Sequence, residues 1–141
     1  MKFLVIVKAN EDSERGVLPS SKALEEMMAF NQKLVDAGVM LAGEGLQPSS
    51  KGARVRFDGD KRIVTDGPFA ETKELVAGFW IWQCKSLQEA IDWLKLCPCV
   101  DGDQGGEVEI RPMFSIEDFG DNASPELRAK EAEMRSKAAA Y

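Results

Sequence analysis

At 141 residues the chain holds one domain plus an appendage, and its 44% apolar and 30% charged composition supports a core built without disulfides. A formal charge of −6 argues against a nucleic-acid backbone as partner, since that binding needs clustered Lys and Arg. No segment approaches the roughly 18 consecutive apolar residues that cross a bilayer, so no membrane partner is expected.

Met1 to Lys8 carries one early positive charge and a short apolar run, Phe3 to Val7. That run is too short for the central region of a signal peptide and reads as a buried strand, with cytoplasmic residence as the default. Asn10 to Ser21 is polar, contains Gly16 and Pro19, and reads as a loop. Ser20 or Ser21 can cap the helix that follows, with Glu25 and Glu26 in its first turn. Over Lys22 to Ala37 the apolar residues Leu24, Met27, Met28, Leu34 and Val35 recur at helical spacing, Asn31 shares their stripe, and Gly38 ends the helix. Val39 to Leu46 is a second strand, followed by a turn-rich link over Gln47 to Gly52. Ala53, Val55 and Phe57 alternate with Arg54 and Arg56 as a half-buried strand, and Asp58-Gly59-Asp60 supplies the positive-φ residues of a hairpin that returns through Ile63 to Thr65. Leu75 to Cys84 is a long strand. Ser86 caps a helix with Leu87, Ala90, Ile91 and Leu94 on one face, which stops before Pro98. Val100 to Gly106 reads as a polar loop and Val108 to Phe114 as the last strand. Asp118 to Ala123 is a linker, and Ser124-Pro125-Glu126 starts a helix with a thin apolar face of Leu127, Met134 and Ala138.

The order β-α-β, hairpin, β-α-β is an α+β plan: the ferredoxin-like split βαβ with an inserted β-hairpin, over residues 1–116, with residues 117–141 as a linker and surface helix. Two helices cover one face of such a sheet. Both strand faces are nevertheless apolar: Phe3, Val5 and Val7 oppose Leu4 and Ile6, and Phe79 and Ile81 oppose Trp80 and Trp82. The face bearing the two tryptophans is therefore expected to lie against a second copy, sheet on sheet, as a homodimer.

Candidate chemistry is sparse. The chain has no histidine, which removes the usual general base and every Ser-His or Cys-His arrangement. Cys84, Cys97 and Cys99 are odd in number and lack histidine partners, so they read as plain thiols rather than as a zinc site or a disulfide framework. Gly43-Glu44-Gly45 lacks the third glycine and following helix of a dinucleotide site, and Gly105-Gly106 precedes a strand. No cofactor or metal is expected.

Asp66-Gly67-Pro68 ends a strand by its own turn chemistry, and Phe69, apolar within that turn, reads as a plug for the core. The stretch DGPFAETKE from Asp66 is very similar to the hallmark of the YCII-related, or DGPF-motif, family. AGVMLAGEGLQP, Ala37 to Pro48, and GGEVEIRPM, Gly105 to Met113, resemble two further stretches of that family in the same order. The resemblance implies a dimeric α+β barrel. It implies no settled activity: members carry dehydrogenase or transcription-associated labels and accompany extracytoplasmic sigma factors. The His-Asp pair of the YCII branch has no counterpart in a chain without histidine.

Glu44, between two glycines in an apolar strand, reads either as an edge, solvent-facing or structurally paired residue, or as a pocket acid whose pKa burial raises. Gly43 and Gly45 would admit a ligand or another backbone. One functional reading is a small-molecule site, binding or enzymatic, between sheet and helices. Glu44 or Asp66 would act as acid or base, Lys73 or Arg111 would hold an anion, Trp80 or Trp82 would form the apolar wall, and Asn31 would line it from the helix. The other is a non-enzymatic dimeric regulatory or interaction module, tied to transcription.

Overall fold

The computed structural model describes residues 1–71, 74–98 and 106–138. Lys73, Cys99 and residues 100–105 of the expected loop lie outside them. Four strands, β1 (Lys2–Lys8), β2 (Met40–Gly45), β5 (Val76–Gln83) and β6 (Val108–Pro112), form one antiparallel sheet in the order β2-β5-β1-β6. That order is the split βαβ arrangement, with the apolar strands β1 and β5 at its centre. The sheet is open, and no barrel closes among the described residues. Among the described residues β3 (Ala53–Asp58) and β4 (Lys61–Asp66) pair only with each other.

Capping decides where the helices begin. The Ser20 hydroxyl accepts from the Ala23 N–H at 3.1 Å and starts α2 (Ser21–Asp36). Glu25 and Glu26 fall in the second turn, one turn later than expected, so they do not meet the helix N-terminus. Gly38, at φ 70°, takes the left-handed conformation that ends the helix. Ser86 caps α3 (Leu87–Leu94) through the Glu89 N–H. The expected loop after β1 contains a further helical turn, α1 (Glu11–Glu14), because Asn10 and Ser13 form a reciprocal capping box. The expected linker after β6 is a 3₁₀ segment, Ile116–Asn122, and Ser124 caps α4 (Pro125–Lys137) behind it. The Arg128 guanidinium ties α4 back to the carbonyls of Ala123 and Gly120 at 2.9 and 3.0 Å. Among the described residues no helix is long and apolar enough to cross a membrane.

The core lies between the sheet and α2 with α3. Phe3, Val5, Trp80 and Trp82 from the strands, with Cys84 just past β5, meet Phe30 and Leu34 of α2 and Ala90 of α3. The Phe30 ring packs edge-on against Trp80 and Trp82, with centroids 6.1 and 6.3 Å apart. This corrects the expectation that the tryptophans face a partner: they fill the space beneath the helices. The alternation on β5 offers two apolar sets, and the helices took the bulkier one. The opposite face carries Leu4, Ile6 and Phe79, half-buried, and Ile81, 6% exposed.

The hairpin departs from expectation as well. Every residue of β3 and β4 is exposed except Ile63, so neither strand is half-buried. Its turn takes a positive φ at Gly59 alone, not at the flanking aspartates. Gly43 proves to be a packing requirement, since a Cβ there would lie 2.7 Å from the Trp80 ring. Around Gly45 the same space is open.

The two indoles differ in one respect that a substitution can expose. Trp80 Nε1 donates to the Asn31 amide oxygen at 2.9 Å, whereas the fully buried Trp82 Nε1 finds no acceptor among the described residues. An orphaned buried N–H costs about 1–3 kcal/mol. Trp80→Phe is therefore expected to destabilise the fold by about 1–2 kcal/mol more than Trp82→Phe in urea unfolding. Equal losses would contradict this account.

Candidate functional site

At the end of the sheet where β2 stops and β5 begins, three segments distant in sequence are drawn together. The Ser49 side chain is the centre of this junction. Its hydroxyl donates to Glu14 Oε2 at 2.5 Å, its backbone N–H donates to Glu14 Oε1 at 3.1 Å, and its oxygen accepts from the Phe69 N–H at 3.1 Å. One serine thus joins α1, the 3₁₀ turn Ser49–Lys51 and the loop after β4. Glu14 can reach because the Asn10 capping box forms the turn that carries it.

The Asp66-Gly67-Pro68-Phe69 loop closes against the same turn. Gly67 N–H donates to the Gly52 carbonyl at 3.0 Å, and the Gly67–Pro68 peptide is cis. A Cβ on Gly67 would fall 1.7 Å from the Ser49 carbonyl oxygen, so only glycine allows this approach. Phe69 does not enter the core. It stands half-buried, with the Arg54 guanidinium 3.9 Å above its ring centroid, a cation–π contact that fixes the ring.

Between these segments lies an open cleft of about 490 Å³. Leu46, Pro48, Phe69, Leu75 and Val76 supply apolar walls, and Glu14, Gln47, Ser49 and Lys51 supply polar groups. The loop is therefore both a turn and a pocket wall. The carboxylate of Glu14 is already held by two donors from Ser49, which makes it a brace more than an open base.

The expected site residues do not converge here. Glu44 is exposed on edge strand β2, opposite Phe79, so the burial that an acid in a pocket requires is absent. Arg111 is exposed on the other edge strand, opposite Leu4. Three inter-strand spacings, about 14 Å, separate those edges. Asp66 ends β4, exposed, and does not line the cleft. Asn31 and Trp80 bind each other on the helix side of the sheet. Lys73 lies outside the described residues. The sequence reading missed Glu14, Ser49 and Lys51. Asn10 and Ser13, three residues apart in a polar stretch, were a readable signal of a helix start there.

Among the described residues no thiol lines this cleft. Burial pushes the Cys84 thiol up, and the nearby Glu89 carboxylate adds to the rise while the N-terminal ammonium opposes it. Among the described residues no three His, Cys, Asp or Glu side chains gather to hold a metal ion.

Against known proteins, the sequence model of the YCII-related domain matches residues 1–115. An uncharacterized protein of Rhizobium meliloti is 35% identical over 92 residues, which are 65% of this chain and 73% of that protein. Among solved structures, the 5-chloro-2-hydroxyhydroquinone dehydrochlorinase of Burkholderia phenoliruptrix, in complex with 2,5-dihydroxybenzoquinone, aligns with a TM-score of 0.45 at 15% identity. The alignment covers 81% of this chain and 94% of that one, and at such similarity none of that enzyme's chemistry transfers.

The junction makes its own prediction. Gly67→Ala has to push the loop off the Ser49 carbonyl, at a cost of about 1–3 kcal/mol, whereas Ser49→Ala removes the hydroxyl bridge at about 1–2 kcal/mol. Both variants are expected to gain a protease cut between Asp66 and Ala70 while the Trp80–Trp82 core keeps its near-ultraviolet dichroism. A loop as resistant as the parent's in both variants would contradict the junction.

Proposed function

The chain belongs to the YCII-related family, and we propose that it binds a small molecule in the cleft between the Leu46–Gly52 stretch and the Phe69 loop. The observation that carries this reading is that Leu46, Gln47 and Pro48 on one wall and Phe69 on the other belong to two of the three stretches that carry the family resemblance. The cleft is mostly apolar, with Lys51 as the cation among its described lining residues and Arg54 occupied over the Phe69 ring. It suits a compact, largely apolar ligand with a single anionic group. Glu14 is engaged by Ser49, so the geometry favours binding over proton transfer. Glu44, Asp66 and Arg111 take no part.

A ligand that binds only the native state stabilises it by about 2.7 kcal/mol at a hundredfold excess over its Kd. A thermal-shift panel of aromatic monocarboxylates is expected to raise the melting temperature. Lys51→Met and Phe69→Ala should abolish that rise and Glu44→Gln should keep it. A shift that survives both cleft variants, or is lost with Glu44→Gln, places the ligand elsewhere.

Assembly is part of the same proposal. Leu4, Ile6 and Phe79 leave an apolar sheet face half-exposed, and a second copy stacked sheet on sheet would cover it and complete an α+β barrel. Leu4→Glu is expected to convert a dimer to a monomer in sedimentation velocity without loss of helical dichroism. An unchanged sedimentation coefficient would remove this face from the assembly.

A further inference from the structure

We propose that the β3–β4 ribbon carries an anion subsite beside the cleft, built from Arg54 and Arg56 with Lys61 beyond them, and that it takes a phosphate chain borne by the ligand of the cleft. The subsite rests on ligand binding in the cleft and adds the ligand's class: a compact apolar group on a diphosphate-type tail.

Strand alternation divides the ribbon's side chains between two faces. Val55, Phe57, Arg62 and Val64 stand on one, and Arg54, Arg56, Lys61 and Ile63 on the other, because Val55 pairs with Val64, Phe57 with Arg62 and Arg56 with Ile63. The cations of the two faces differ in what they touch. Arg62 is engaged within the ribbon: its Nη1 donates to the Gly59 and Lys61 carbonyls at 2.9 Å each, and its guanidinium lies 4.5 Å from the Phe57 ring centroid. Arg54, Arg56 and Lys61 form no ion pair among the described residues. Asp58 shares their face at its outer end, and Glu71 and Glu74 lie exposed past Phe69, but none of these carboxylates is paired with them there.

Position ties this face to the cleft. Gly52 lines the cleft, and β3 starts at the next residue, Ala53. The Arg54 guanidinium lies over the ring of Phe69, the aromatic wall of the cleft. Stacking occupies the flat face of a guanidinium and leaves its in-plane N–H donors, the fork that matches two oxygens of a phosphate. Arg56 follows about 7 Å farther along the same face of β3. Lys51 in the cleft, Arg54 at its aromatic wall and Arg56 beyond thus form a series of cations leading out of an apolar pocket, in a chain whose formal charge is −6. The cleft itself has a place for one anionic group, at Lys51, and the ribbon has a place for the next. Exposed cations hold a free anion weakly, so the apolar group seated in the cleft supplies the local concentration that the ribbon needs.

Benzyl phosphate and benzyl diphosphate differ by the second phosphate alone, and calorimetric titration of the full chain with each tests the subsite. The diphosphate is expected to bind about tenfold or more tightly than the monophosphate at low ionic strength, and the gain should shrink as salt rises. Arg56→Gln combined with Lys61→Gln alters no residue of the cleft lining, and should bring the diphosphate down to the monophosphate's affinity. Arg54→Lys should remove most of the gain too, since an ammonium lacks the fork. Inorganic diphosphate alone should bind far more weakly than its benzyl ester. Equal affinity of the parent for the two esters, with benzyl phosphate binding lost in Lys51→Met, overturns the subsite and leaves binding in the cleft standing. Failure of both esters to bind overturns the two together. The subsite is also overturned if the diphosphate's advantage persists in both ribbon variants, or if inorganic diphosphate binds as tightly as the benzyl ester.

Discussion

Two indoles, two residues apart on a central strand, constrain this molecule more than any other feature. Strand geometry forces Trp80 and Trp82 onto one face, with ring centroids 5.6 Å apart. A cluster of that size needs a cover, and α2 provides it through Phe30 and Leu34. Burial of each aromatic contributes about 3 kcal/mol, so the side of the sheet on which α2 lies is decided there. The neighbouring strand β2 accommodates the choice by placing Gly43 against the Trp80 ring, where a side chain does not fit. Asn31, on the buried stripe of α2, is held by the Trp80 N–H that it accepts. The polar residue in the helix stripe and the glycine in the strand thus have one cause.

The second organising point is the Ser49 junction, and it explains the motif residues without reference to chemistry. Gly67 is required by the Ser49 carbonyl, and the Phe69 N–H is satisfied by the Ser49 hydroxyl. Ser49 is in turn held by a carboxylate from a helix more than thirty residues upstream in sequence. Hydrogen bonds to a charged group of this kind contribute about 1.5–3 kcal/mol. The cleft follows from this bracing: once the loop is pinned, its aromatic ring becomes a wall.

The order of strands and long helices was legible because each depends on local periodicity and a cap: the β1 run, the Ser20 and Ser86 caps and Gly38 all read directly. What could not be read was which of two equally apolar strand faces the helices cover. The sets containing Phe79 and Ile81 or Trp80 and Trp82 satisfy the same alternation, and only packing volume separates them. The hairpin misled for a related reason, since alternation of Val55 and Phe57 with arginines predicts a buried side, yet no other described element buries it and only Ile63 of the two strands is partly buried. Of the site, the Asp66-Gly67-Pro68 turn was legible, but Phe69 read as a core plug and instead stands half-buried as a wall. Glu14 and Ser49 were not, because their pairing spans a loop, a helix and a strand and leaves no spacing to recognise.

Core and cleft are physically separate, and this bears on how the family can vary. The Trp80–Trp82 cluster sits under α2, while the cleft is built from loop and turn residues at the sheet's end, where Leu75 and Val76 at the start of β5 are its nearest tie to the core strands. Substitutions with no shared partners add nearly independently. Residues such as Gln47 and Lys51 can therefore change the cleft's lining with little effect on the fold, whereas Gly67 and Ser49 cannot change without loosening the wall itself. The bracing uses a serine, a glycine and a carboxylate, so the wall stands in a chain without histidine.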